Sequence, residues 1–134
     1  MTIGVPAVWL VDDDEDDRLE IRSAFDELQP PVGILTLNNG QQLLAELELN
    51  ETLPKLLLLD LNMPGLTGFD LLEQLRANPR LANLPVVIIT TSSNDLDRQQ
   101  SLTLGAIDFI TKPTTYSQLA DIAQRLSRRW IWVG

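Results

Sequence analysis

Short apolar runs alternate with longer amphipathic stretches along the whole chain. Ala7-Val8-Trp9-Leu10-Val11 is the first run, and a short segment apolar at every position reads as a buried strand. Ile21, Phe25 and Leu28 then recur at i, i+4 and i+7, the spacing of one helix face. Pro30-Pro31 stops that helix. Residues 34–37 form a second strand, less apolar than the first and so expected near an edge. Asn38-Asn39-Gly40 turns the chain into a helix that buries Leu43, Leu44 and Leu47. Leu56-Leu57-Leu58-Leu59 is the third strand. A run of this kind suits a strand covered on both faces, as in parallel sheets, yet it ends on the carboxylate of Asp60. A third helix carries Leu71, Leu72 and Leu75 until Asn78-Pro79 breaks it. Pro85 precedes a fourth strand over residues 86–90. Ser92-Ser93-Asn94-Asp95 offers an N-cap to a helix running toward Gly105. That helix is poor in apolar residues, which predicts light packing and local mobility. Residues 106–111 form the fifth strand. Pro113 leads into a last helix with Leu119, Ile122, Ala123, Leu126 and Trp130 on one stripe.

Five strands alternating with five helices predict an α/β fold: a doubly wound, five-stranded parallel sheet with helices on both faces. Right-handed crossovers leave few topologies. The flavodoxin-like order 2-1-3-4-5 fits best, because it makes the most apolar strands, the first, third and fourth, central. No repeat, linker or low-complexity tract interrupts the pattern, so residues 1–134 are expected to form one domain.

Composition narrows the chemistry. The chain has 134 residues, 44% of them hydrophobic, with no cysteine and no histidine. That excludes disulfides, thiolate metal sites and any imidazole-based triad. The net charge of −9 argues against direct nucleic-acid binding, which wants a basic footprint. Met1-Thr2-Ile3-Gly4-Val5-Pro6 lacks the features of a signal peptide. No apolar run approaches a membrane span, and a cytoplasmic location is the expectation.

In a parallel sheet the C-terminal strand ends share one edge, and ligands bind there at the switch point of the strand order. The first strand delivers Asp12 and Asp13 to that edge, the third Asp60, the fourth Thr90 and Thr91, and the fifth Lys112. Three adjacent carboxylates cannot all stay ionised cheaply. A divalent cation relieves them, and an all-oxygen donor set selects Mg²⁺ or Mn²⁺. The arrangement suggests phosphoryl chemistry with Asp60 as nucleophile, Lys112 neutralising one phosphoryl oxygen and the Thr90 hydroxyl hydrogen-bonding another. Glu15, Asp16 and Asp17 read as acids stabilising a helix N-terminus. Asp14 is open between N-cap and site residue, and Thr91 reads as an ordinary strand residue at the pocket.

These residues together resemble the receiver domain of two-component response regulators. The resemblance rests on the acid pair after the first strand, on Asp60, Met63, Pro64 and Gly68, on Thr90 after the fourth strand and on Lys112-Pro113 after the fifth. It covers nearly the whole chain and implies a single-domain, chemotaxis-type receiver with no output domain. Asp60 would accept a phosphoryl group from a histidine kinase or phosphotransfer protein. Asp12, Asp13, Asp60 and the Asn62 backbone carbonyl would hold Mg²⁺. Thr90 and Phe109 fall at the switch positions: phosphorylation would draw the Thr90 hydroxyl toward Asp60 and let the Phe109 ring turn inward. That would reshape the face made by the fourth helix, fifth strand and fifth helix. Phe109 lacks the hydroxyl of the tyrosine common at that position.

Two other functions share part of this pattern. A haloacid-dehalogenase-like phosphatase also uses an aspartate nucleophile, lysine and Mg²⁺, but needs a second acid where this chain has Asn62. A long-lived phosphoryl group, and at most slow self-dephosphorylation, follow from that absence. A flavodoxin-like nucleotide binder wants a hydroxyl- or glycine-rich loop after the first strand, where Asp12-Asp13-Asp14 would repel phosphate. The tail Trp130-Ile131-Trp132-Val133 has four apolar residues in a row, more than one helix face can bury. It is expected either to join a homodimer or partner interface, or to be disordered or pack onto the first helix.

Overall fold

The computed structural model describes residues 6–132. Strands β1 (Val8–Val11), β2 (Ile34–Leu37), β3 (Leu56–Leu59), β4 (Val86–Thr90) and β5 (Asp108–Thr111) form one sheet in the order β2-β1-β3-β4-β5. All four pairings are parallel. The three central strands are buried at every position, whereas β2 and β5 at the edges are partly open. Only strands covered by helices on both faces can be apolar throughout, which is why the leucine run lies in the middle. β5 begins at Asp108, two residues later than the apolar pattern from Ala106 suggests. The Ala106 N–H is taken by the Ser101 carbonyl at 3.0 Å, closing the preceding helix rather than extending the strand.

Helices α1 (Glu15–Asp26), α2 (Gly40–Leu49), α3 (Gly68–Ala77), α4 (Asp95–Thr103) and α5 (Tyr116–Leu126) alternate with the strands. Successive strand residues face opposite sides of the sheet, and this splits the core in two. Trp9, Val11, Leu57 and Leu59 pack with Leu43 and Leu47 of α2 and with Leu71, Leu72 and Leu75 of α3. Val8, Leu10, Leu56 and Leu58 pack with Ile21 and Phe25 of α1 and with Leu119, Ile122 and Leu126 of α5. Each fully buried leucine contributes roughly 1.5–3 kcal/mol of transfer free energy. Leu44 is only partly buried, at the margin of the first cluster.

Side-chain oxygens close the helix starts. Asp14 is the N-cap of α1 and accepts the Asp17 N–H at 3.0 Å. Thr67 and Asp70 cap α3 reciprocally, and Asn94 caps α4, accepting the Leu96 N–H at 2.7 Å. Two arginines serve helix ends from a distance. Arg80 donates to the carbonyls of Leu47 and Asn50 at the end of α2. Arg76 donates to the carbonyls of Leu81, Ala82 and Leu84, and to that of Gly105 at 2.8 Å. Gly105 has φ of +109°, and a Cβ there would lie 2.6 Å from Arg76 Nε. The C-terminal end of α4 is thereby fastened to α3.

Past α5 the chain continues as a π-helical turn, Ser127–Ile131, in which the Trp132 N–H donates to the Ser127 carbonyl at 2.7 Å. The wider turn slows the rotation of successive side chains about the axis. Trp130, Ile131 and Trp132 all remain partly buried against the core cluster that contains α1 and α5. Packing within the chain therefore takes up much of the apolar tail; Val133 lies outside the described residues.

In α4 the only buried residue is Ser101. Amide exchange should therefore be fast over residues 95–104 relative to α3, three of whose leucines are wholly buried. Hydrogen–deuterium exchange with peptide resolution would show it; equal protection in the two helices would contradict it.

Candidate functional site

β1, β3, β4 and β5 end at the same edge of the sheet and bring their following residues together. The Asp60 N–H donates to Val11 O at 3.0 Å, and the Lys112 N–H to Thr90 O at 2.7 Å. Main-chain pairing thus fixes where the side chains start. Asp12 and Asp60 are buried, and Asp13 is exposed. One carboxylate oxygen from each lies within 4.8 Å of the others. The expected acid trio is therefore assembled.

Lys112 crosses to this trio. Its Nζ lies 2.7 Å from Asp12 Oδ2, 2.6 Å from Asp17 Oδ2 and 3.5 Å from Asp60 Oδ2. Asp17 was expected only to stabilise a helix end, and it is in addition a partner of the lysine. It lies in the first turn of α1, and a loop-like acid run in the sequence carries no sign of which member faces the pocket. Arg18 is a second residue missed by sequence reasoning: its guanidinium donates to the Asp12 main-chain carbonyl at 2.8 Å. Burial alone would lower the Lys112 pKa, but the hydrogen bonds to Asp12 and Asp17 outweigh it and hold the ammonium above its ordinary value. Burial raises Asp12 to about 6 despite its hydrogen bonds with Lys112 and the Asp14 N–H. A carboxylate raised in the folded state binds its proton more tightly there than in the unfolded chain. Its stabilising share is full below about pH 4 and is lost as pH rises through about 6, so ionised Asp12 strains the metal-free protein at neutral pH.

Thr90 is fully buried. Its Oγ1 accepts weakly, at 3.5 Å, from Asn62 Nδ2 and from the Ser92 N–H. Asn62 spans the pocket between Asp60 and Thr90, with its own N–H 3.4 Å from Asp60 Oδ1. Ser92 is held in turn by Asp97 of α4 at 2.7 Å, which links the Thr90 loop to the loosely packed helix. Thr91 is exposed. Phe109, 6% exposed, already lies within the first core cluster.

The loop after Asp60 is anchored by the buried side chains of Leu61 and Met63. Gly65 has φ of +77°, a left-handed conformation that glycine adopts without strain. Gly68 permits a closer approach: a Cβ there would lie 2.5 Å from the Asp60 carbonyl oxygen and 2.8 Å from Leu61 Cα. The start of α3 is thus pressed against the main chain that carries Asp60.

The donor set fits a hard divalent cation. Asp12, Asp13 and Asp60 offer only oxygen, and the burial strain on ionised Asp12 is what a nearby dication would relieve.

Comparison with known proteins agrees with this fold. The family model for the response regulator receiver domain matches residues 8–124. The probable methanogenesis regulatory protein FilR2 of Methanothrix harundinacea is 30% identical over 128 residues, spanning 92% of this chain and 83% of that protein. Among solved structures, the phosphorylated cyanobacterial phytochrome response regulator RcpA superposes with a TM-score of 0.87 at 30% identity, covering 98% of this chain and 97% of that one. The Mn²⁺-bound form of response regulator Rcp1 gives 0.83 at 28% identity, covering 96% and 97%.

Two outcomes follow from the site geometry. Mg²⁺ should raise the melting temperature of the wild type near pH 7.5. Asp12→Asn should abolish that rise while stabilising the chelated protein by on the order of 1 kcal/mol; an unchanged Mg²⁺ response would contradict the role of Asp12. Gly68→Ala should cost about 1–3 kcal/mol in urea unfolding, because its clash is with main chain, and a neutral substitution would show that the loop yields.

Proposed function

The chain belongs to the response regulator receiver domain family, and on that premise we propose that it is a phosphoacceptor switch with Asp60 as the acceptor. The observation that carries the proposal is the position of Asp60: buried at the end of β3, 3.5 Å from the Lys112 ammonium and grouped with Asp12 and Asp13. In this reading residues 1–134 act as one receiver domain, charged by a histidine kinase or phosphotransfer protein. A carboxylate oxygen of Asp60 attacks phosphorus, the new O–P bond forms, and the donor's N–P bond breaks. The electron pair stays on the donor imidazole, which takes a proton from solvent.

Asp12, Asp13 and Asp60, with the Asn62 main-chain carbonyl, are the groups that would hold Mg²⁺, or Mn²⁺ in its place. The ion would supply charge neutralisation for the phosphoryl oxygens. Lys112 is already desolvated beside Asp60 and fixed by Asp12 and Asp17, so it can neutralise an incoming oxygen with little reorganisation. The Thr90 hydroxyl makes only long contacts and is free to turn toward a phosphoryl oxygen. Because Phe109 is already buried, Thr90 and the Ser92–Asp97 link carry the change to α4. The signal leaves by protein contact through the α4–β5–α5 face, or by a homodimer formed there or through the C-terminal tail.

The reading also favours storage over turnover. Asn62 occupies the pocket mouth as an amide, contacting Thr90, and supplies no acid to activate water. Self-dephosphorylation is then slow, and the protein is a switch rather than an enzyme.

Incubation with acetyl phosphate should give a Mg²⁺-dependent mass gain of one phosphoryl group that is absent in Asp60→Ala. No gain under any condition would sink the proposal, and steady multiple turnover of a phosphate ester would replace it with a hydrolase. Lys112→Ala, checked for folding by circular dichroism, should still gain the phosphoryl group. Its beryllofluoride-induced amide shifts in α4 and β5 should largely disappear; an undiminished response would contradict the role given to Lys112.

A further inference from the structure

The Lys112 ammonium has three N–H groups to place, and two of them are taken in the resting chain. Nζ donates to Asp17 Oδ2 at 2.6 Å and to Asp12 Oδ2 at 2.7 Å. Asp60 Oδ2, at 3.5 Å, is an ion-pair partner without a hydrogen bond. The lysine therefore leans toward α1 and away from the carboxylate at the end of β3.

The two hydrogen-bonded acids differ in what the departure of the lysine would cost them. The Asp12 side chain is 0% exposed, so an unpaired charge there would find no water. The Asp17 side chain is 31% exposed, and solvent can replace the ammonium. Asp17 also stands in the first turn of α1, where the helix dipole favours a negative charge. Its own N–H is held by the Asp14 cap at 3.0 Å, which fixes the main chain from which the carboxylate projects. Among the described residues, Lys112 is the only hydrogen-bond donor to that carboxylate. Of the two short contacts, the one with Asp17 is thus the one that can break at low cost.

We propose that Asp17 is a positioning residue that competes with the phosphoryl group for Lys112. In the resting chain it holds the ammonium at α1. When Asp60 carries a phosphoryl group, Lys112 exchanges the Asp17 contact for a phosphoryl oxygen and keeps its contact with Asp12. Asp17 is not part of the carboxylate trio that could hold a cation, so its effect on the pocket runs through the lysine. The inference rests on the phosphoacceptor reading and adds a restraint to it: Asp17 sets how readily the pocket accepts an anion, because each anion must first win the lysine.

Titration of the full chain with beryllofluoride at saturating Mg²⁺, followed by NMR, tests the idea. Asp17→Asn should bind the analogue about three- to fivefold more tightly than the wild type. Lys112→Met/Asp17→Asn should bind it no more tightly than Lys112→Met alone. The carboxylate carbon signal of Asp17 should shift on binding in the wild type and much less in Lys112→Met. Circular dichroism checks that each variant folds. A purely structural role for Asp17 gives weaker binding in Asp17→Asn, and direct repulsion between Asp17 and the analogue gives a gain that survives without the lysine. Either result would overturn the proposal, as would an unchanged affinity or an unmoved Asp17 signal. Absence of binding by the wild type would overturn the phosphoacceptor reading as well, whereas binding that ignores Asp17 would overturn this inference alone.

Discussion

The contact between the Lys112 ammonium and the carboxylates of Asp12, Asp17 and Asp60 is the constraint around which the molecule is organised. It joins β5 to β1, α1 and β3, elements far apart in sequence. Removing the lysine from such a buried pair costs about 3–5 kcal/mol, because the carboxylates are left without compensation; removing one of several carboxylates leaves the lysine still paired. Yet one ammonium cannot neutralise three carboxylates with Asp13 beside them. The fold therefore keeps a local excess of negative charge at its rim, and burial holds Asp12 near the point of protonation. Stability alone would not select that arrangement; a hard dication held among these carboxylates would relieve it.

Rigid and soft parts are divided around this centre. β3 is buried throughout and Gly68 is pressed onto the main chain of Asp60, so the Asp60 carboxylate cannot wander. On the other side Thr90 makes only long hydrogen bonds, and its loop is tied through Ser92 and Asp97 to α4. Arg76 and Gly105 fasten α4 at its C-terminal end. A change at Thr90 therefore meets a helix held at one end and loosely packed along its length, the low-stability kind of element from which switches are built.

The positive charges are divided in the same way. Most serve the fold by closing helix ends and loops through carbonyls, as Arg76 and Arg80 do. Lys112 serves the acid pocket at one end of β5. Among the described residues, Arg125, Arg128 and Arg129 have no hydrogen-bond or ion-pair partner at the other end, where α5 passes into its π-helical turn. An acidic protein thus presents a cationic, partly aromatic groove at the end of β5 opposite its acid pocket.

Period and punctuation in the sequence determined the class of fold, the strand order and nearly every element. The reason is that a strand covered on both faces must be apolar at every position, as Leu56–Leu59 is, and edge strands need not be. The identities of Asp12, Asp13, Asp60, Thr90 and Lys112 were legible for a related reason: a parallel sheet gathers its strand ends, so residues after each apolar run must meet. Tertiary structure decided what these rules do not encode. Asp17 meets the Lys112 ammonium at 2.6 Å, a contact set by where α1 packs and not by its place in the acid run. Arg18 reaches a main-chain carbonyl, which sequence cannot mark as an acceptor. β5 starts late because Ser101 claims the Ala106 N–H. The tail follows the core because the π-helical turn over Ser127–Ile131 changes the helical repeat, keeping Trp130, Ile131 and Trp132 against the core.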